Sequence, residues 1–98
     1  MLTHALFVSM EAKPDQAEEL QTFLREAQVL AEQETGTAAW FALRMGPTTF
    51  AIFDAFPDEE SRRQHLDGEL SRHLGSRADD LLVKPPQVDQ LDVIAGKL

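Results

Sequence analysis

Residues 37–56, TAAWFALRMGPTTFAIFDAF, decide the fold because they hold two apolar runs separated by a strong turn signal. Gly46-Pro47 marks the turn, and a turn between two strand-like runs predicts a β-hairpin. The second run also contains a charge that needs an explanation. Asp54 lies inside the sequence FAIFDAF, and a carboxylate in an apolar setting is costly unless something compensates it.

The register of this hairpin decides which side chains share a face of the sheet, because successive side chains of a strand alternate between faces. We predict that Leu43 faces Phe50 and that Phe41 faces Ile52. In this register the face with Asp54 carries Phe41, Leu43, Phe50, Ile52, Asp54 and Phe56. The other face carries Ala38, Trp40, Ala42, Arg44, Ala51, Phe53 and Ala55.

The rest of the chain has the periodicity of strands and helices. The predicted order is a strand over residues 4–10, a helix over 13–36, strands over 37–44 and 49–56, helices over 57–66 and 69–83, and a strand over 88–98. Pro14 suits the first position of the long helix and Gly36 its left-handed end. The order βαββααβ predicts one α+β domain over residues 1–98, a ferredoxin-like sandwich with the helices on one face of an antiparallel sheet.

The face without helices is then an apolar surface too large to leave in water. In the predicted register it carries Trp40 and Phe53 among small residues such as Ala42 and Ala51. Small residues allow a second sheet to approach closely. We therefore predict a homodimer that packs through these sheet faces.

Composition excludes several classes of protein. The formal net charge of −8 disfavours a nucleic-acid partner, since binding nucleic acid needs a basic surface. The absence of cysteine fits a reducing compartment, and no apolar run approaches the roughly 20 residues that a membrane span needs. We expect a cytoplasmic protein without a signal peptide or membrane partner. The acidic residues of the helical segments, Glu34 among them, are expected to be solvated.

Most familiar catalytic motifs are missing. The three histidines, His4, His65 and His73, have no metal-site spacing. There is no glycine-rich phosphate loop, no GxSxG motif and no cysteine nucleophile. Neither a metal nor an organic cofactor is predicted.

One arrangement of residues could carry chemistry. Asp54 is predicted to face the helices near the end of its strand, and the helix that follows carries His65. A carboxylate that holds one nitrogen of an imidazole raises the basicity of the other, which suits a general base. The alternative is that Asp54 accepts backbone hydrogen bonds where the strand ends and that His65 is a surface residue. The sequence alone does not decide between these two alternatives.

Four segments resemble the antibiotic biosynthesis monooxygenase family of small dimeric α/β barrels, over nearly the whole chain. They are EAKPDQ (11–16), ETGTAAWFALR (34–44), PTTFAIFDAFPDEESRRQHLDG (47–68) and LDVIAGKL (91–98). The most specific part of the resemblance is a glycine at the start of the second strand, an acidic residue near the end of the third, and a histidine on the next helix. These are Gly36, Asp54 and His65.

The resemblance implies a cofactor-independent monooxygenase that oxidises a quinol-like or polyphenolic substrate with O₂. His65 would be the catalytic base and Asp54 its partner. The resemblance also implies a small aromatic-binding cavity between the sheet and the helices. The implied substrate-binding residues are Phe7, Phe41, Ile52, Phe56 and His73. The asparagine and tryptophan positions of family members with oxygenase chemistry fall on Ile52 and Phe56. The strand-one asparagine position of the haem-degrading branch falls on Phe7, which disfavours haem degradation. The alternative is a dimeric binding or structural module of the same fold without turnover.

Overall fold

The computed structural model describes residues 1–98 and contains four strands and three helices. The elements are β1 (His4–Glu11), α1 (Ala17–Glu32), β2 (Ala39–Arg44), β3 (Thr49–Phe56), α2 (Glu59–Leu66), α3 (Glu69–Leu81) and β4 (Gln87–Asp92). The strands form one antiparallel sheet in the order β2-β3-β1-β4. This confirms the predicted α+β, ferredoxin-like fold. None of the helices is both long and apolar enough to cross a membrane.

Three local predictions about element ends are wrong. Helix α1 begins at Ala17 because the preceding residues form a turn, in which the Gln16 N–H donates to the Lys13 carbonyl (2.9 Å). Strand β4 ends at Asp92, so residues 93–98 lie outside the sheet. Gly36 does not adopt a positive φ. Its function is close packing instead, because a Cβ at this position would lie 2.8 Å from Cβ of Ser61.

The predicted hairpin register is wrong by one residue. Asp54 faces Trp40 rather than residue 39, and Phe53 faces Phe41. The turn closes where the Met45 N–H donates to the Thr49 carbonyl (2.8 Å). Strand β2 is apolar at both alternations, so its hydrophobic pattern does not specify which residues point to the helices.

The side of the sheet under the helices, here called the helix-covered face, holds the main core. Its eleven buried residues are Val8, Met10, Ala12, Leu20, Phe23, Leu24, Phe50, Ile52, Leu74, Leu81 and Leu82. Trp40 packs against this core and also against a smaller cluster of Ala27, Ala31 and Leu70. The indole therefore lies between the sheet and the helices, which is where a cavity was predicted.

The opposite side, here called the open face, has no helix over it. Strand pairing places on it Ala5, Phe7, Ser9, Ala39, Phe41, Leu43, Ala51, Phe53, Ala55, Gln87, Asp89 and Leu91. Phe41 is 54% exposed and Leu43 is 41% exposed. Phe53 and Ala51 lie on this face as predicted, but Trp40 and Ala42 lie on the helix-covered face.

Candidate functional site

Strand β3 places Asp54 at the centre of the sheet. The residue pairs with Trp40 in β2 and with Leu6 in β1. It belongs to the helix-covered face, as predicted, and it is completely buried. Because neighbouring strands and overlying helices exclude water, this carboxylate depends on protein groups for compensation.

Helix α2 brings His65 over this strand. Its N-terminus is capped by Asp58, which accepts the Ser61 N–H (2.8 Å), and the hydrogen bonds from Ser61 lower the pKa of Asp58. One turn before His65, the buried side chain of Arg62 donates to the carbonyl oxygens of Ala5 (3.3 Å) and Leu91 (3.1 Å). Residues three apart share a helix face, so the contacts that hold Arg62 to the sheet also direct His65 toward it.

His65 lies between two carboxylates. Its Nε2 is 2.9 Å from Oδ2 of Asp54, and its Nδ1 is 2.5 Å from Oε1 of Glu34. The same Glu34 oxygen accepts the hydroxyl of Thr37 (2.7 Å). We call these three residues the Asp54–His65–Glu34 array. The ring of Phe56 covers one side of it, with its centroid 5.4 Å from that of the imidazole.

The two sides of the imidazole differ in alignment. The Nδ1 contact has the direction of a hydrogen bond to Glu34. The Nε2 contact is short, but the oxygen lies off the N–H direction, so neither oxygen of Asp54 receives a well-aligned hydrogen bond. Asp54 and His65 therefore form a short contact between opposite charges in which the hydrogen bond is poorly aligned.

The two carboxylates set the protonation of His65. Burial alone lowers the pKa of His65, but the close contact and charge of Asp54, and next those of Glu34, outweigh burial and raise the pKa above its usual value. An imidazolium cation between two carboxylates is the charge state that this surrounding favours. Such an array can hold a proton between Asp54, which is fully buried, and Glu34, which is partly exposed.

Glu34 is the functional residue that the sequence analysis missed. It was expected to be solvated, but its side chain is only 20% exposed. It follows α1 by two residues and is approached closely by Gly68, where a Cβ would lie 3.4 Å from Oε2 of Glu34. Its sequence neighbourhood is that of any acidic residue at a helix end.

Two clefts adjoin the site from different directions. A polar cleft of about 330 Å³ opens over His65 and Glu34, beside Gly36 and Gly68. An apolar cleft of about 390 Å³ lies between α1 and β2, with Trp40 and Phe50 in its wall. His65 lines the first cleft and not the second. The cleft that contains aromatic residues is therefore separate from the cleft that His65 lines.

The predicted substrate-binding residues are dispersed. Phe7 and Phe41 lie on the open face, although Phe41 also lines the apolar cleft beside the edge strand β2. Ile52 is buried in the core, and Phe56 is buried against His65. His73 is an exposed residue of α3 whose ring lies 5.1 Å from that of Phe23, and it lines a groove different from the cleft at His65. Phe56 alone of the five contacts the array.

The array is not arranged as a metal site. The two carboxylates contact opposite nitrogens of one ring, and no three His, Asp or Glu side chains converge on a point that could hold a metal ion.

Comparison with solved structures identifies relatives. Protein NE2512 of Nitrosomonas europaea, a protein of unknown function, is 48% identical, and the match covers 100% of this chain and 95% of that one with a TM-score of 0.98. The chain belongs to the NE2512 family. No family profile matches the chain, and no curated protein is similar to it.

Two more distant structures have the same fold. A candidate antibiotic biosynthesis monooxygenase from Nitrosomonas europaea is 16% identical, with a TM-score of 0.83 over 94% of this chain and 90% of that one. Another from Caulobacter crescentus is 11% identical, with a TM-score of 0.82 over 96% and 92%. The chain thus has the fold of the antibiotic biosynthesis monooxygenases.

Proposed function

We propose that the protein is a cytoplasmic, homodimeric, cofactor-independent monooxygenase that oxidises a small quinol-like or polyphenolic substrate with O₂. The observation that carries this proposal is the buried Asp54–His65–Glu34 array in a chain of this fold. A buried imidazole beside two carboxylates suits proton transfer from a weakly acidic hydroxyl.

From the protein, the reaction needs only a base and a site that excludes water. Deprotonation of a phenolic hydroxyl makes the ring electron-rich, and exclusion of water protects the anion while it meets O₂. For a quinol, one oxygen atom of O₂ replaces a ring hydrogen as C–OH, and the other leaves as water. The quinol supplies all four electrons and becomes a hydroxyquinone, so the step balances.

His65 is the proposed base and Asp54 its partner, with Glu34 as the outer member. Because both ring nitrogens contact carboxylates, a substrate proton enters through a carboxylate oxygen. In its neutral form His65 takes this proton at Nε2 and becomes the imidazolium that the two carboxylates favour. His65 later returns the proton to the oxygen atom that leaves as water, so each residue ends in the state in which it began.

The proposed homodimer packs through the open face. Its exposed aromatic and aliphatic side chains, Phe41 and Leu43, are interleaved with small residues such as Ala39 and Ala51. Burying such a surface removes apolar area from water, and the small residues allow two sheets to approach. The residues differ from those predicted in β2, but the physical reason is the same.

The test of the reaction is O₂ consumption with a panel of quinols and anthrones. His65→Ala and His65→Gln are expected to lower kcat by about 10²-fold or more, the usual contribution of a general base. His73→Ala is the matched control, since His73 is an exposed histidine outside both clefts. Turnover that survives both substitutions at His65 would remove this residue from the mechanism.

One observation favours the second candidate, a binding module without turnover. Both nitrogens of His65 are occupied, and the apolar cleft reaches Trp40 rather than His65. Tight binding of aromatic molecules without O₂ consumption by any of the quinols or anthrones would identify the module.

A further inference from the structure

Three buried polar side-chain atoms in the chain have no hydrogen-bond partner, and they belong to only two residues. They are Nε1 of Trp40 and both carboxylate oxygens of Asp54. Buried polar groups in folded proteins are almost always hydrogen-bonded, so each exception needs an explanation. Three exceptions on two residues indicate one common cause.

Trp40 and Asp54 are directly opposite each other across β2 and β3, on the helix-covered face. Directly opposed residues of an antiparallel pair have Cβ atoms about 4.5–5.5 Å apart. The indole N–H is a donor and the carboxylate oxygens are acceptors. The two residues therefore offer complementary groups from directly opposed positions, without bonding to each other.

Only some ligand groups satisfy both residues. A hydroxyl accepts a hydrogen bond from the indole N–H and donates its own proton to the carboxylate. A ketone or ether oxygen accepts but cannot donate, and an ammonium group donates but cannot accept. The pair therefore favours a group that both accepts and donates a hydrogen bond, and on an aromatic ring a hydroxyl is the smallest such group.

Trp40 also indicates the shape of the molecule that would carry this hydroxyl. The indole forms part of the wall of the apolar cleft, together with Leu24 and Phe50, and the cleft volume of about 390 Å³ suits a small planar ring system. Asp54 does not itself line the cleft, but Trp40, its neighbour across the two strands, does. A ring in the cleft therefore lies on the Trp40 side of this carboxylate.

We propose that Trp40 and Asp54 form a hydroxyl-binding subsite for a small phenol whose ring occupies the apolar cleft. This inference rests on the proposed function and deepens it, since it names the residues that recognise the substrate hydroxyl. It also connects the two clefts. The phenol approaches from the apolar cleft and donates to Asp54, whose Oδ2 contacts Nε2 of His65, while Glu34 faces the polar cleft on the other side of the ring.

The chain offers a direct spectroscopic probe of this subsite, because Trp40 is its only tryptophan. The ¹⁵N-labelled protein therefore gives a single indole N–H signal. It is titrated without O₂ with 2-naphthol, with 2-methoxynaphthalene, which accepts but cannot donate, and with naphthalene, which does neither. We expect the indole proton to move downfield with 2-naphthol and to stay in place with naphthalene.

Calorimetry with the same three molecules measures the contribution of each residue. Wild type should bind 2-naphthol at least about tenfold more tightly than its methyl ether, since a hydrogen bond to a charged group contributes on this scale. Trp40→Phe and Asp54→Asn should each reduce that preference to about threefold or less. Asp92→Asn is the control, because Asp92 lies on the same side of the sheet but is exposed.

Equal binding of 2-naphthol and its ether by wild type, or an indole signal that 2-naphthol does not move, would overturn the subsite. The wild-type measurements hold even if Trp40→Phe does not fold. The outcome is also separate from that of the proposed reaction. Preference for the hydroxyl without O₂ consumption would support the subsite and reject the monooxygenase. Turnover without that preference would support the monooxygenase and reject the subsite.

Discussion

The two faces of the sheet are built from alternate residues of the same four strands. Each face departs in a different way from the rule that apolar side chains are buried and charged side chains are exposed. The helix-covered face excludes water and contains the charges of Asp54 and His65. The open face leaves Phe41 and Leu43 exposed. A buried charge and an exposed apolar surface are the two informative exceptions to the rule that apolar residues lie inside.

The difference between the faces lies in where each exception is compensated. The helix-covered face supplies its own compensation, since β3, α2 and the segment after α1 each contribute one member of the Asp54–His65–Glu34 array. The open face has no such element within the chain. The first face is therefore tested by breaking contacts within one chain, and the second by breaking contacts between copies.

The largest expected effect follows from leaving Asp54 without its cation. His65→Ala should destabilise the fold by about 3–5 kcal/mol, the usual cost of removing one partner of a buried ion pair. The double variant Asp54→Asn/His65→Ala should recover part of this loss, because it no longer buries an unpaired charge. Urea unfolding followed by circular dichroism measures both. Equal loss in the single and double variants would show that the charge of Asp54 is not what His65 compensates.

The open face gives the next effect. Phe41→Asp should weaken the proposed dimer by about thirtyfold or more, the scale of a central aromatic residue in an interface. Val29→Asp is the matched control, because Val29 is similarly exposed (60%) but lies on α1. Sedimentation at several concentrations gives the dissociation constants. A wild-type chain that sediments as an 11.0 kDa species at micromolar concentration would reject the dimer itself.

A smaller effect is expected at Gly36, which lets the segment before β2 approach α2. Gly36→Ala should cost about 1–3 kcal/mol, because its Cβ would lie 2.8 Å from Cβ and Oγ of Ser61. Gly46→Ala is the control, since nothing lies within 4 Å of its Cβ. The double variant Gly36→Ala/Ser61→Gly should again allow α2 to pack closely against the segment before β2. Thermal unfolding of wild type, the two single variants and the double variant measures these effects. Equal melting temperatures for Gly36→Ala and Gly46→Ala would contradict the prediction.

The smallest effect is a dependence of stability on pH. The folded chain holds the pKa of His65 above its usual value, so the folded state binds the proton more tightly than the unfolded state. The stabilisation by this proton is fully present below the ordinary histidine pKa of about 6.5 and is lost as pH rises through the folded value.

The urea midpoints of wild type and His65→Gln between about pH 6 and pH 9 measure this dependence. The advantage of wild type should shrink as the pH rises. A difference in urea midpoint between wild type and His65→Gln that grows with pH would contradict the prediction.

The sequence predicted the elements and their order because apolar periodicity specifies both. It also placed Asp54 under the helices and His65 above it, since α2 follows β3 after a short turn and packs back on the strand. The contact between these two residues was one of two open alternatives, and the structure decides it. The parity of β2 was predicted wrongly, because Trp40 and Phe41 are equally suited to an interior.

Glu34 was missed for a different physical reason. The sequence distinguishes a solvated carboxylate from a functional one only through its distant neighbours, and the partner of Glu34 lies 31 residues away. Nothing in the local pattern at the end of α1 differs from that of an exposed helix end. Long-range contacts of single polar residues are what hydrophobic periodicity does not encode.

The turn between β2 and β3 has a consequence for how this gene can change. Strand β2 is at the edge of the sheet and is held in register by its pairing with β3. Loss of one codon from residues 45–48 would shift β2 by one position and exchange the faces of all six of its residues at once. Loss or gain of two codons would leave every face as it is. The number of residues in this turn can therefore change only in steps of two, whereas the types of residue in it are less constrained.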